Sequence, residues 1–274
     1  MSEKIGLIAG KGQFPLLFAE AARRQGLEVV AVAHRGETDP RLESLCQHCR
    51  WISVGQLGKL IRIFQDAGVD RAVMAGGLSR GRLFREFRPD LRALKLVQRL
   101  GAGHDDRLLR GVADELAAEG ITIVSPLAYL EDLLAPPGPL SRRHPTAKEL
   151  EDIEFGFRIA KAVGRLDLGQ CVVVRRQVVT ALEAIEGTDE AIRRGGRLAG
   201  RGAVVIKVCK PGQDLRFDLP AVGVGTIEVM REVEARVLAV EAGKTLIFDR
   251  RDMITLADKG RIAVWGVVEP ETTS

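Results

Sequence analysis

Taken as a pattern of apolar and polar positions, the chain alternates short apolar runs with stretches of helical spacing. Lys4 to Ala9 (KIGLIA) is a buried-strand run; GKGQFP follows, then a helical stretch from Leu16 to Gln25 that Gly26 ends. Glu28 to Ala33 predicts a second strand, Trp51 to Val54 a short third, Arg71 to Ala75 a fourth and Ile121 to Val124 a fifth. Between them, Leu57, Leu60, Ile61 and Phe64 share one face of a helix over Gln56 to Ala67. Leu108, Leu109, Val112 and Leu116 do the same over His104 to Glu119. Gly68 and Gly120 stop these two helices. Strands alternating with helices predict an α/β fold whose N-terminal domain, residues 1–133, is a Rossmann-like parallel sheet.

The pattern breaks at Leu134 to Pro145 (LAPPGPLSRRHP), where four prolines and a glycine fall in twelve residues. This predicts a Pro-rich linker without packing of its own, residues 134–145. A C-terminal mixed α/β catalytic domain, residues 146–274, is expected beyond it. Its elements are a helix near Lys148 to Val163, strands at Cys171 to Arg175 and Val178 to Leu182, and an apolar run from Ala203 to Ile206. A helix from Thr226 through TIEVMREVEARVLA follows, then a strand at Lys244 to Phe248, a short helix near Arg251 to Ala257 and a last strand at Arg261 to Val267.

Composition narrows the class. The 274 residues are 46% hydrophobic and 28% charged, the profile of a globular protein with room for two domains. A net charge of +4 suits anionic partners weakly and gives no ground for nucleic acid. The N-terminus, MSEKIGLIAG, shows no charged-then-apolar export pattern, and no uncharged run approaches the roughly 18 residues of a membrane span. The expectation is a cytoplasmic protein that touches a membrane surface at most. Cys46 and Cys49 form a C-x-x-C around His48, but no second pair completes a zinc site and the pair precedes WISV, which reads as a strand. They read as incidental thiols.

Candidate chemistry concentrates in four stretches. KVCKPGQDLRFDLPAVG, from Lys207 to Gly223, lies between an apolar strand and a helix start. Lys207 and Lys210 there can hold phosphate, and Asp214 and Asp218 can hold a hard cation such as Mg²⁺; a solvated loop whose aspartates cap a helix is the other reading. EAIEGTDE, from Glu183 to Glu190, is either a capped helix start or a source of further oxygen ligands, with Glu183, Glu186 and Asp189 as donors. GKGQFP, from Gly10 to Pro15, is half a dinucleotide fingerprint with Gln-Phe-Pro in place of the third glycine. It reads as a ligand loop or as a tight turn with Pro15 in the helix's first turn. AGGLSRGRLFREFRPD follows the fourth strand, which puts Gly76 and Gly77 on the same sheet edge as Gly10 and Gly12. No nucleophile elbow and no H-E-x-x-H occurs, so a water nucleophile suits the chain better than a covalent one. From Arg80 to Arg99 seven basic residues face two acidic ones, with leucines at 91, 94 and 100, as on an amphipathic helix at an anionic membrane or as on a solvated helix face.

A fifth stretch, DDRLLR, sets Asp105 and Asp106 at a helix start, as caps or as cleft residues, and the five in order — IAGKGQFP, AGGLSRGRLF with RPD, DDRLLR with EGI, EAIEGTD, and KPGQDLRFDLPAVG with TIE — resemble the UDP-2,3-diacylglucosamine pyrophosphatase family of lipid A biosynthesis, the type unrelated to the calcineurin-like enzyme. The resemblance runs from Ile8 to about Glu228. It implies two domains with substrate between them, a requirement for Mg²⁺ (with Mn²⁺ as a substitute), and hydrolysis to UMP and 2,3-diacylglucosamine 1-phosphate (lipid X) by water attack on the sugar-side phosphorus. The aspartate of the family's D-L-P motif lands on Asp218. On this reading Asp218, Lys207 and Lys210 are catalytic, and Asp218, Asp189 and Asp214 bind metal. Substrate contacts fall to Gly10, Gly12, Gln13, Phe14 and Pro15, to Gly76, Gly77, Ser79 and Arg80, to Glu186, Gly187 and Thr188, and to Gln213, Arg216 and Thr226. The expected partners are UDP-2,3-diacylglucosamine and lipid X, with transient contact at the cytoplasmic face of the inner membrane; a homo-oligomer is compatible. The alternative is a non-catalytic nucleotide-sugar or lipid-binding protein. Clustered carboxylates argue against it, because without a metal they repel a pyrophosphate. An NAD-dependent oxidoreductase fits less well: the glycine fingerprint is incomplete and Glu37 is a poor acidic residue to close the second strand.

Overall fold

The computed structural model describes residues 3–78, 88–100 and 105–269. The chain divides into two units: Met1–Glu131 with Leu215–Phe217, and Asp132–Asp214 with Asp218–Ser274. The first is built from β1 (Lys4–Ala9), α1 (Phe14–Arg24), β2 (Glu28–His34), β3 (His48–Ile52), α2 (Leu57–Ala67), β4 (Arg71–Ala75), α3 (Leu91–Leu100), α4 (Asp105–Ala117) and β5 (Thr122–Ile123). Its sheet has the order β3-β2-β1-β4-β5, and every pairing is parallel. The inner strands β1, β2 and β4 are buried on both faces, as a parallel sheet under helices requires. Ile5, Leu7, Ala31 and Ala33 pack with Phe18, while Val30, Val32 and Ile52 pack with Leu60, Phe64 and Leu116 on the opposite side. Strand order reverses between β1 and β4, which makes the loops after these two strands a topological switch point.

One expectation is corrected in this unit. The third strand covers His48–Ile52 rather than Trp51 to Val54; it is an edge strand, and its exposed His48 and Arg50 hide it from an apolar pattern. Cys49 therefore lies inside the strand, and burial pushes the Cys46 thiol up to about 12 and the Cys49 thiol to about 11, so both stay protonated and unreactive near neutrality. The helix over Leu91–Leu100 forms as expected, but two of its three basic residues already have partners. Arg92 donates to Glu115 at 2.8 Å and to Glu119 at 2.6 Å, and Arg99 donates to Glu115 at 3.2 Å. These bonds tie α3 to α4. Asp90, of the RPD stretch, accepts from the N–H of Gly58 and of Ala93, so it serves the starts of α2 and α3.

The second unit holds β6 (Gly138–Pro139), α5 (Ala147–Arg165), β7 (Cys171–Arg175), β8 (Val178–Leu182), α6 (Thr188–Ala199), β9 (Val204–Lys207), β10 (Ala221–Val222), α7 (Val224–Glu232), β11 (Val237–Glu241), β12 (Leu246–Ile247), α8 (Arg250–Lys259) and β13 (Ala263–Val267). Six strands form a mixed sheet in the order β6-β13-β11-β9-β7-β8, parallel in the β9-β11-β13 centre and antiparallel outside it. Alternate residues serve two cores. Val173, Val205, Leu238 and Val264 pack with Ile192, Ile227 and Met253 of α6, α7 and α8; Val172, Val204, Ile206 and Ala239 pack with Ile153 and Phe157 of α5. The capping box of Thr146 and Glu149 starts α5.

Two expectations are corrected here. The helix expected from Thr226 to Ala239 ends at Glu232, and Val237–Glu241 is the central strand β11. The stretch from Leu134 to Pro145 packs as part of this unit. Ala135 is buried, its N–H donates to Thr245 O, its carbonyl accepts from Gly243 N–H, and Gly138–Pro139 pairs with β13. Pro136 O approaches Gly266 so closely that a Cβ there would lie 1.9 Å away. The prolines suit an edge strand, which does not need every N–H.

Candidate active site

Lys207 ends β9 at the carboxyl end of the parallel strands. It is 8% exposed, and its ammonium donates to Thr188 Oγ1 at 3.1 Å and to Ala221 O at 2.9 Å. An ammonium has three donors; among the described residues the third has no partner. Thr188 Oγ1 donates in turn to Glu183 Oε1 at 2.8 Å, and Glu183 Oε2 accepts from Gln170 N–H at 3.2 Å. Buried Glu183 thus fixes the hydroxyl that fixes the lysine. The cavity in front, about 320 Å³, is lined by Glu186, Gly187, Thr188, Asp189, Lys207, Ala221 and Thr226. Thr188 and Asp189 open α6 and Thr226 lies in the first turn of α7, so two helix N-termini and a lysine face one space. Their partial positive charges favour a phosphate there. Gly187 takes φ +85° at the α6 start, a left-handed backbone that suits glycine. Glu186 accepts from Arg194 at 2.5 Å, and that bond holds its carboxyl below the usual range. Beneath the site, burial pushes the Cys171 thiol up to about 12, which makes it packing rather than a nucleophile.

The loop leaving Lys207 is clamped at its root. The buried carboxylate of Glu241, 1% exposed at the end of β11, accepts from Cys209 N–H at 2.8 Å; Lys161 of α5 donates to Cys209 O at 3.2 Å and to both Glu241 oxygens at 3.0 and 3.1 Å. Lys244 and Glu269 complete the network. Further along, Gln213 accepts from Lys210 N–H at 2.9 Å and donates to Asp218 Oδ2 at 2.7 Å, so it spans the loop from Lys210 to Asp218. Asp218 is exposed, and its N–H donates to Asp214 O at 3.3 Å.

In the first unit the two glycine loops touch at the switch point. Gly10 N–H donates to Ala75 O at 2.8 Å and Lys11 N–H to Gly77 O at 2.7 Å. A Cβ on Gly10 would lie 2.4 Å from Gly77 O, and one on Gly76, at φ +83°, 2.4 Å from Lys11 O. Only bare backbones fit this approach. Pro15 falls in the first turn of α1 after Gln13, the N-cap, and Phe14. His34, at the end of β2, donates from Nδ1 to Ala9 O at 2.9 Å, and Thr38 Oγ1 donates to the same carbonyl at 2.6 Å. Burial lowers the His34 pKa, so the ring is neutral near pH 7.

The structure therefore brings Lys207, Glu186, Gly187, Thr188, Asp189 and Thr226 to one cavity, and Gly10, Gly12, Gly76 and Gly77 to another edge. Gln213 and Asp218 meet on the loop. Lys210, expected at the pyrophosphate, donates to Asp167 at 2.6 Å, and the Arg216 guanidinium stacks 4.8 Å from the centre of the Phe217 ring. Ser79 and Arg80 lie outside the described residues. Among the described residues no three carboxylates, thiols or imidazoles converge as a metal cage. Of the three aspartates expected to bind metal, Asp189 lines the Lys207 cavity, and Asp214 and Asp218 meet on the loop beyond it. The sequence reading did not assign Glu241, Lys161 or His34, and it took Glu183 only as a ligand donor.

Residues 4–133 match the family model of the LpxI N-terminal domain, and residues 136–265 match that of the LpxI C-terminal domain. The UDP-2,3-diacylglucosamine pyrophosphatase LpxI of Caulobacter vibrioides is 34% identical over 275 residues, covering 96% of this chain and 97% of that one. Among solved structures, the biotin carboxylase subunit of pyruvate carboxylase is 15% identical at a TM-score of 0.27, over 73% of this chain and 42% of its own. The biotin carboxylase domain of a thermophilic 2-oxoglutarate carboxylase is 16% identical at 0.27, over 70% of this chain and 32% of its own. The chain spans under half the length of these two, and at such scores the likeness carries no argument.

Proposed function

The chain belongs to the LpxI family, and from that premise we propose that it hydrolyses UDP-2,3-diacylglucosamine to UMP and 2,3-diacylglucosamine 1-phosphate with Mg²⁺ as cofactor. One observation carries the reading: the match to a UDP-2,3-diacylglucosamine pyrophosphatase runs through both domains, over 96% of the chain. The Lys207 cavity supports it, because a buried lysine between two helix starts suits a pyrophosphate. Asp218 orients the attacking water or takes its proton. The water oxygen bonds to the sugar-side phosphorus as the bond to the bridging oxygen breaks, and UMP leaves with that electron pair. Lys207 and the α6 and α7 N–H groups offset the charge that builds on the phosphate oxygens. Mg²⁺, or Mn²⁺ in its place, would be held by Asp218 with Asp189 or Asp214 and would neutralise the pyrophosphate. The substrate is a lipid, so the protein meets it at the cytoplasmic face of the inner membrane; no helix among the described residues is long and apolar enough to cross that membrane.

The test is turnover of UDP-2,3-diacylglucosamine in ¹⁸O-water with Mg²⁺. The label should enter 2,3-diacylglucosamine 1-phosphate and not UMP, and a chelator should stop the reaction until Mg²⁺ or Mn²⁺ is restored. Label in UMP would move the attack to the uridine-side phosphorus. Binding without turnover would make the protein a carrier.

A further inference from the structure

The second unit holds another cavity, larger than the one at Lys207 and at the opposite end of the same strands. Lys207 and Glu241 end β9 and β11, whereas Arg236 immediately precedes β11 and Arg261 stands just before β13. Four or five residues at about 3.3 Å each separate the two ends by about 15 Å. The cavity is about 780 Å³, and five of its seven lining residues are cations against one carboxylate, Asp258. That volume suits a ligand of nucleotide or headgroup size.

Partners inside the fold neutralise only part of this charge. Arg143 donates to both oxygens of Glu149 at 2.7 Å, and the Arg142 guanidinium lies 3.6 Å from the Asp258 carboxylate. Among the described residues Arg236, Lys259 and Arg261 have no carboxylate within ion-pair distance. Arg236 is nonetheless fixed: its Nη1 donates to the carbonyls of Gly260 and Arg261 at 3.2 and 3.4 Å, at the end of α8. Those carbonyls would repel an anion, and Arg236 covers them while keeping its charge. The wall behind is tied to the sheet, since Arg143 donates to Arg236 O and Ser141 Oγ accepts from Val264 N–H at 2.8 Å. Three cations gathered around one hollow repel one another, and packing among them returns nothing. A held guanidinium beside a lysine and a second arginine is the chemistry that recognises phosphate oxygens.

We propose that this cavity is a second anion site, which takes a phosphate-bearing group through Arg236, Lys259 and Arg261, apart from the Lys207 site and whatever that site does. The group is either a soluble phosphate compound or the headgroup of an anionic lipid. Two arms on the full chain separate the sources, both with Lys207→Met present to silence the other cavity. One titrates inorganic pyrophosphate against chloride at fixed ionic strength by calorimetry; the other sediments the protein with phosphatidylglycerol or phosphatidylcholine vesicles. In at least one arm the protein should bind the phosphate ligand over its control, and K259E/R261E should weaken that binding about tenfold or more at an unchanged melting temperature. Binding in the soluble arm alone assigns a free phosphate compound, and in the vesicle arm alone a lipid headgroup. If neither ligand exceeds its control, or if K259E/R261E binds as its parent does, the proposal is overturned. If K259E/R261E fails to fold, Lys259→Gln alone, an exposed change, should show the same loss in smaller measure, and no loss overturns it.

Discussion

Lys207 and Asp218 differ in what the fold asks of them, and this separates their variants. Lys207 is buried, but its two bonds go to a hydroxyl and a carbonyl rather than to a carboxylate. Methionine of similar length should keep the packing and strip the charge from the cavity, lowering kcat/KM by at least about a hundredfold with a small change in melting temperature. Asp218 is exposed, so Asp218→Ala should abolish turnover, leave substrate binding and denaturant midpoint near those of the parent, and cost about a hundredfold or more in kcat. Retention of near-normal kcat in either variant would remove that residue from the chemistry. His34 gives a pH effect of known sign. Its folded pKa lies below the ordinary value of about 6.5, so the unfolded chain takes up a proton that the folded one refuses. The associated stability is fully present above about pH 6.5 and is lost as pH falls toward the folded pKa. Urea midpoints at pH 5 and 8 should therefore differ more for the parent than for His34→Gln. Equal differences would show that acid sensitivity lies elsewhere.

At the scale of elements, the loop that carries Asp218 is only as well placed as its root at Cys209. Removing Lys161 leaves Glu241 with Lys244, and removing Glu241 leaves Lys161 with Glu269, but either change breaks buried charge-assisted bonds and should destabilise the unit by about 1.5–3 kcal/mol. Lys161→Met with Glu241→Met removes both charges and leaves Lys244 with Glu269, so it should recover much of that stability. It does not restore the bonds to Cys209, and kcat should stay at least about tenfold below the parent. Full recovery of kcat along with stability would make the clamp a packing feature only. No linear pattern announces it, because its members stand 80 and 32 residues apart in chain order. The same limit explains β11. TIEVMREVEARVLA reads as one helix because the turn that ends α7 puts Glu234 at φ +52°, where a glycine would have marked the stop. Where glycine does stand at the break, as at Gly68 after α2, the sequence and the structure agree. The loops were legible for the same reason: only glycine allows the backbone approach between Gly10 and Gly76, and both positions show in the sequence.

For the whole molecule, the motifs around Lys207 were legible as a set and their shared cavity was not, since convergence depends on the sheet order. The stretch from Leu134 to Pro145 predicts a linker because its prolines exclude a ladder of N–H bonds, and an outer strand does not need the full ladder. Its position has a consequence for behaviour in concentrated solution. A mixed sheet with an open flank invites pairing with another chain. Here that flank is finished by Gly138–Pro139 alongside β13, with Pro136 and Pro137 just before, and a residue without an N–H offers an incoming strand one bond fewer. Replacing Pro137 and Pro139 with threonine should leave turnover unchanged and raise concentration-dependent association in light scattering. Equal scattering from both proteins would show that the flank is guarded by something else. On this view the proline run, which looks like a hinge in the sequence, is what keeps one copy of the sheet from extending into the next.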